Sequence, residues 1–221
     1  NTLGVTYHYL VAREQARQFA VGSYAGTGVA QAITGVGFRP AYVWIMAETN
    51  QPPIHGSTTM PANNVFFFDA TAALTNRILS FDVDGFTVGT QANVNNNGVA
   101  YHWLAWAAIP EQMATGSYVG DGADDRSISG VGFTPWLVIT VGASLDSLWK
   151  PRIDNDVTVL GESAKFFAPT ADATDQIQAL EVDGFQVGAG AAANTNGTTI
   201  YWMAFRPGQN GGWRLRRRGG R

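Results

Sequence analysis

The sequence has no cysteine and few charged residues. Without cysteine there are no disulfide scaffolds and no thiolate metal sites, so we expect sheet packing to hold the fold together. Charged residues make up 14% of the 221 residues, against about 25% in an average soluble domain. No apolar run approaches the roughly 20 residues of a membrane-spanning helix. The sequence therefore predicts no membrane span.

The small net charge of −3 hides an uneven distribution. The last eight residues contain five arginines, and without them 9 basic residues stand against 17 acidic ones, a net charge of −8. A body this acidic is a poor nucleic-acid surface, so nucleic acid could be contacted only through the tail. We expect the tail to be a flexible extension that contacts an acidic partner subunit. Its arginines are Arg214, Arg216, Arg217, Arg218 and Arg221.

An internal repeat dominates the chain. Four motifs of the first half return in the same order in the second half, at offsets that grow from 94 to 99 residues, which indicates duplication. The four stretches of the first copy are Gly22 to Gly28, Ile33 to Pro40, Val83 to Gly89 and Trp103 to Trp106.

A third copy of the last strand of this repeat lies at the start of the chain. Gly4 to Tyr24 aligns without a gap on Gly98 to Tyr118, with ten of the 21 positions identical. The chain therefore has three closing strands but two copies of everything else. We expect this surplus strand to carry the assembly contacts, through Val5, Tyr7, Tyr9 and Val11.

Short β-branched and aromatic runs separated by glycine, asparagine and aspartate predict an all-β fold. We expect two tandem antiparallel β-sandwich repeats of jelly-roll type with an extra N-terminal strand. The boundaries are 1–19 for the surplus strand and connector, 20–113 and 114–207 for the repeats, and 208–221 for the tail. The pairs Asp84-Gly85 and Asp183-Gly184 predict type I′ hairpin turns, and Asn97-Gly98 predicts a turn before the closing strand.

The closing strands are apolar or aromatic on both faces. Tyr101 and Trp103 share one face, while Leu104 and Trp106 share the other. This pattern predicts a central strand covered on both sides, or on one side by a neighbouring subunit.

No motif indicates catalysis or a resident cofactor. The three histidines, His8, His55 and His102, have no partners at metal-ligand spacing. Three acidic residues in a Gly-rich loop, Asp121, Asp124 and Asp125, are weak candidates for a Ca²⁺ site, although solvated turn residues explain them as well.

Aromatic side chains beside amides are typical of sugar-binding sites. The candidates for a glycan contact are Trp149, Trp136 and the cluster Asn93 to Asn97, within which we single out Asn95 and Asn97. Core or interface aromatics next to a polar turn are the alternative explanation.

The repeated motifs resemble a repeat domain of phage tail-fibre-like, virion structural and bacterial surface proteins. The resemblance is carried in the first copy by Gly22-Ser23-Tyr24, by Gly35 to Pro40 and by Val83 to Gly89. It implies an all-β component of a virion exterior or cell surface, without catalytic residues to carry over.

The sequence thus predicts a non-enzymatic structural protein of a phage virion exterior or an extracellular fibre, such as a tail fibre, spike or capsid decoration. Its expected partners are further copies of itself, in a ring or a filament, and other virion or surface proteins. The alternative is a lectin-like adhesion module that binds surface glycans, and a minor alternative is a glycan-cleaving enzyme.

Overall fold

A computed structural model of the chain describes residues 8–152, 163–167, 171–206 and 213–217, with the backbone alone for 8–12 and 213–217. In this part of the chain the regular structure consists of β-strands, every pairing of which is antiparallel, and two four-residue helices. The predicted all-β class is confirmed.

The chain begins with β1 (His8–Ala12) and then runs through the first repeat. The elements of that repeat are β2 (Phe19–Ala25), β3 (Gln31–Thr34), β4 (Tyr42–Ala47), β5 (Ile54–Ser57), β6 (Asn64–Phe67), β7 (Leu74–Thr75), β8 (Ile78–Asp82), β9 (Gly85–Val88), α1 (Ala92–Asn95) and β10 (Ala100–Trp106).

The second repeat follows the same order. Its elements are β11 (Met113–Val119), β12 (Arg126–Ser129), β13 (Leu137–Gly142), β14 (Leu148–Pro151), β15 (Lys165–Phe166), β16 (Ile177–Glu181), β17 (Gly184–Val187), α2 (Ala191–Asn194) and β18 (Thr199–Phe205). One more strand, β19 (Trp213–Arg217), comes after it.

Each repeat contains a larger and a smaller sheet. The larger sheets have the strand orders β2-β10-β4-β5-β6-β7 and β11-β18-β13-β14-β15, and the smaller ones β3-β9-β8 and β12-β17-β16. The two sheets of a repeat enclose one core. In the first repeat Val43, Ile45 and Tyr101 of the larger sheet share this core with Phe86 and Val88 of the smaller.

The closing strands are central, as their sequence predicts. Strand β10 pairs with β2 on one side and β4 on the other, and β18 pairs with β11 and β13. Tyr101 and Trp103 face the core of the first repeat, while Trp106 lies in a separate cluster on the opposite face. Both apolar faces of β10 therefore pack against other side chains.

That separate cluster joins the two repeats. It combines Tyr42 and Trp106 of the first larger sheet with Ile139, Met203 and Phe205 of the second. The ring centroids of Trp106 and Phe205 are 5.7 Å apart, and those of Tyr42 and Phe205 are 6.1 Å apart. The larger sheets thus face each other, which explains the continuous apolar runs of β4 and β13.

The predicted type I′ turns at the Asp-Gly pairs are wrong. Asp82 pairs with Gly85 across the hairpin, so the turn residues are Val83 and Asp84, and Gly85 already belongs to β9. A Cβ atom on Gly85 would come within 1.9 Å of the Ile33 carbonyl oxygen of β3. Glycine is needed here for close strand approach, and Asp183-Gly184 has the same arrangement.

Asp84, in the turn of this hairpin, forms hydrogen bonds with a neighbouring loop. The Asp84 carboxylate accepts hydrogen bonds from the backbone N–H groups of Gly35 and Gly37, at 3.0 and 2.6 Å. Asp183 accepts the corresponding bonds from Gly130 and Gly132, at 3.1 and 2.6 Å. This contact explains why the Gly-Val-Gly and Val-Asp-Gly motifs recur together.

The helices α1 and α2 were not predicted. The polar stretch Asn93 to Asn97 indicates a turn, and its first half instead forms a single helical turn, too short to show a helical period. The predicted turn follows it, with Gly98 at φ +77°.

We expect Gly22→Ala and Gly116→Ala each to lower the free energy of unfolding by about 1 to 3 kcal/mol, the usual effect of overpacking a core. A Cβ atom on Gly22 would lie 2.4 Å from Cζ2 of Trp103, and one on Gly116 would lie 2.3 Å from Cζ2 of Trp202. Urea unfolding gives the measurement. Ser23→Ala and Ser117→Ala, at exposed neighbouring positions, are the controls and should stay within about 0.5 kcal/mol of wild type. Equal effects in both pairs would contradict the packing argument.

Candidate assembly surface

The N-terminal strand pairs with the C-terminal strand. Strand β1 runs antiparallel to β19, from His8 opposite Arg217 to Ala12 opposite Trp213. Among the described residues these two strands form a sheet of their own. Tyr9 and Val11, two of the four expected assembly residues, lie in β1, opposite Arg216 and Arg214. The other two, Val5 and Tyr7, lie outside the described residues.

The β1–β19 pair has the same antiparallel direction as the pairs that each closing strand makes inside its repeat. Strand β10 pairs antiparallel with β2 and with β4, and β18 pairs antiparallel with β11 and with β13. Tyr9, the β1 residue equivalent to Trp103, lies opposite Arg216. Strand β19 thus pairs with a copy of a closing strand.

Part of the predicted tail has regular structure. Residues 213–217 form β19, which contains Arg214, Arg216 and Arg217, while Arg218 and Arg221 lie outside the described residues. The available signal was the alternation in Trp213-Arg214-Leu215-Arg216, which has the period of a strand. The density of arginine hid this signal, because runs of like charge usually indicate disorder.

The face between the repeats brings equivalent positions together. Phe68 and Phe167, 99 residues apart, have ring centroids at 4.6 Å, and Trp106 and Phe205 are also 99 residues apart. Contacts between equivalent positions are the mark of an approximate two-fold relation. The two repeats therefore meet much as two subunits of a symmetric dimer do.

A neutral histidine is buried in this face. His55 is fully buried, its Nδ1 forms a 2.8 Å hydrogen bond with the Tyr42 hydroxyl, and its ring stacks on Phe68 at 4.3 Å. Burial lowers the pKa of His55 from 6.5 to about 3. The register places Trp149 at the same position of the second repeat, where it lies 6.3 Å from Phe167.

The predicted glycan contacts are largely engaged within the protein. Trp149 is half-buried and packs against the face between the repeats, and half-buried Trp136 carries the Arg152 guanidinium at 5.8 Å over its ring. Asn97 is exposed in the turn after α1. Trp149 and Trp136 therefore contribute to packing, and Asn97 contributes to a turn.

Asn95 organises the loop between β2 and β3. Its amide oxygen accepts hydrogen bonds from Thr27 N and Gln31 Nε2, at 2.8 and 2.9 Å, and its amide nitrogen donates to the carbonyls of Val29 and Gly89. Two donors and two acceptor positions are the full capacity of an asparagine side chain. Asn95 is fully buried, so its side chain has no group left for a glycan.

The three acidic loop residues do not form a cation site. Asp121 accepts hydrogen bonds from Ala123 N and Asn194 Nδ2 and pairs with Arg126 at 3.3 Å. The Ala123 N–H lowers the pKa of Asp121. Asp124 accepts from Gln178 Nε2, while Asp125 donates its N–H to Asp124. Over the described ranges no three acidic or histidine side chains are grouped to hold a metal ion.

The described part of the chain contains no helix of the length and apolarity required to cross a membrane.

Comparison with known proteins gives one match. Residues 14–115 match a family model described as a domain of unknown function (DUF7483). This stretch contains all of β2 to β10, the full first repeat. No curated protein and no solved structure matches the chain.

We expect the free energy of unfolding to fall by about 1.4 kcal/mol for each pH unit below about 6.5 through the titration of His55. The unfolded histidine binds a proton near its ordinary pKa of 6.5, whereas the folded one, with a pKa of about 3, does not. Acidification therefore favours the unfolded state. Urea titrations of wild type and His55→Phe across this range measure the difference.

The variant should lack this part of the pH dependence, so the stability of wild type relative to the variant should fall by about 1.4 kcal/mol for each pH unit below about 6.5. His102→Gln is the control, because His102 is exposed and lies beside Glu48. Parallel curves for wild type and His55→Phe would show that His55 is not the buried neutral group.

Proposed function

We propose that the protein is a non-enzymatic structural component of a phage virion exterior or an extracellular fibre, built from many copies of the chain. The observation that carries this proposal is the antiparallel pairing of β1, a copy of a closing strand, with β19. These two strands, which lie before the first repeat and after the second, are thus complementary to each other.

Complementary ends can pair within one chain or between two. A two-stranded sheet is marginally stable by itself in water, and its outer edges keep unpaired backbone groups. Pairing β1 of one copy with β19 of the next forms the same hydrogen bonds and links the copies head to tail. A contact of this kind closes into a ring or continues as a filament.

Charge supports contact between copies. Strand β19 contains three of the five tail arginines, whereas the chain without those five arginines has a net charge of −8. A basic strand at one end of an acidic body favours the approach of the next copy. The low charged fraction and the resemblance of the repeated motifs to those of virion and surface proteins support an exterior setting, with other virion or surface proteins as further partners.

The strand pairing also supports jelly-roll-like sandwiches in tandem. In the first repeat the first strand, β2, pairs with the last, β10, and the second, β3, pairs with the last but one, β9. The second repeat pairs β11 with β18 and β12 with β17 in the same way. Nested pairing of this kind, divided between two sheets, is typical of jelly rolls.

We expect deletion of residues 1–12 to abolish assembly and leave the repeats folded. Deletion of residues 213–221 should do the same, because either deletion removes one partner of the β1–β19 pair. Light scattering coupled to gel filtration gives the mass, and negative-stain microscopy shows rings or filaments. Urea unfolding of each variant confirms that both repeats remain folded.

A mixture of the two deletion variants distinguishes the two modes of pairing. Each variant retains one strand of the pair, so an intermolecular pairing forms a heterodimer that cannot extend further. Wild type that stays monomeric, together with a mixture that forms no heterodimer, would show that β1 and β19 pair only within one chain and would overturn the proposal.

A further inference from the structure

We propose that a pocket in the first repeat binds a neutral sugar ring. The pocket lies at the exposed edge of β2, between the turn that precedes this strand and the loop Gly35 to Phe38, and has a volume of about 360 Å³. Its lining includes Glu14, Gln15, Arg17, Val36, Phe38 and Trp103.

Trp103 lines the pocket with its side chain. It projects from the central strand β10 across Gly22 of β2 and is only 6% exposed. Its indole Nε1 is buried and forms no hydrogen bond with a described residue. A ligand that packs on this side chain changes the surroundings of the indole N–H, which therefore reports binding at this place.

The rim supplies one acid and one base. The carboxylate oxygen Oε1 of Glu14 accepts a 3.0 Å hydrogen bond from the backbone N–H of Val21, which fixes the side chain at the edge of β2. Arg17 sits at the tip of the turn in the left-handed conformation, with φ +63°. Their charges cancel, so the site favours a neutral ligand whose groups both donate and accept hydrogen bonds.

A sugar ring has these properties. Its hydroxyl groups can donate to Glu14 and accept from Arg17 and Gln15. Half-buried Phe38, next to buried Val36, offers an apolar wall for the C–H face of the ring. The volume is near the lower end of the roughly 300 to 1,000 Å³ of ligand pockets, which suits about one ring.

The second repeat keeps the scaffold of this pocket and loses its polar rim. Trp202, Val131 and Phe133 stand at the positions of Trp103, Val36 and Phe38, whereas Ala108, Ile109 and Glu111 replace Glu14, Gln15 and Arg17. Glu111 has φ +61°, close to the value at Arg17. The two rims therefore differ in chemistry at the same backbone geometry, and the second repeat supplies the substitutions for a matched test.

The test uses the full chain with free glucose, galactose, mannose and N-acetylglucosamine. Saturation-transfer NMR detects binding, and the indole N–H resonance of Trp103, assigned by its loss in Trp103→Phe, reports the place. The variant Glu14→Ala/Arg17→Glu gives the two charged positions of the first rim the residues of the second. Glu111→Arg, in the second repeat, is the control.

We expect at least one sugar to give saturation transfer and to shift the Trp103 indole resonance. The double variant should weaken binding about tenfold or more, as expected for the loss of charge-assisted hydrogen bonds, and the control should bind as wild type does. The resonances of the other six tryptophans show whether the variants remain folded.

Absence of transfer from all four sugars would overturn the proposal. So would binding that leaves the Trp103 resonance unmoved, or that the double variant retains. Assembly is measured separately by mass and microscopy, so this result and the one for the β1–β19 pair can each fail alone.

Discussion

The structure depends on the burial of both faces of the closing strands. One face of β10, with Tyr101 and Trp103, completes the core of its own repeat, and the other, with Trp106, needs a second cover. The opposite sheet supplies that cover through Phe205 of the equivalent strand β18. A single repeat would expose this apolar face to water, so the duplication within one chain provides what a dimer would otherwise provide.

The same requirement, that both faces of the strand be buried, applies to strand β1. It copies a closing strand in sequence. Within the described residues its backbone is paired on one side, with β19, whereas β10 and β18 are paired on both. A strand of this type with one open edge favours a further partner, and β19 shows that a strand rich in arginine can pair with it.

Much of the fold could be predicted because the duplication is visible in the sequence and the period of a strand is short. The central position of β10 followed from its two apolar faces. The hairpin at Val83-Asp84 did not, because the position of Gly85 is set by the approach of Ile33 from another strand. Strand β19 was hidden because its partner is some 200 residues away in the sequence, and the Trp103 pocket because its rim comes from separate loops.

A comparison of the two repeats shows which residues the fold requires and at which positions it accepts different side chains. Glycines that lie under a tryptophan, Gly22 and Gly116, occur in both copies, because the indole of the closing strand leaves no room for a Cβ atom. The turn before β2 has no such constraint, since Arg17 and Glu111 occupy the same backbone conformation with opposite charge. Side chains in this turn can therefore contact a ligand without lowering the stability of the core. A binding function would therefore be expected to distinguish the two repeats at this rim, while assembly depends on the strands that they share.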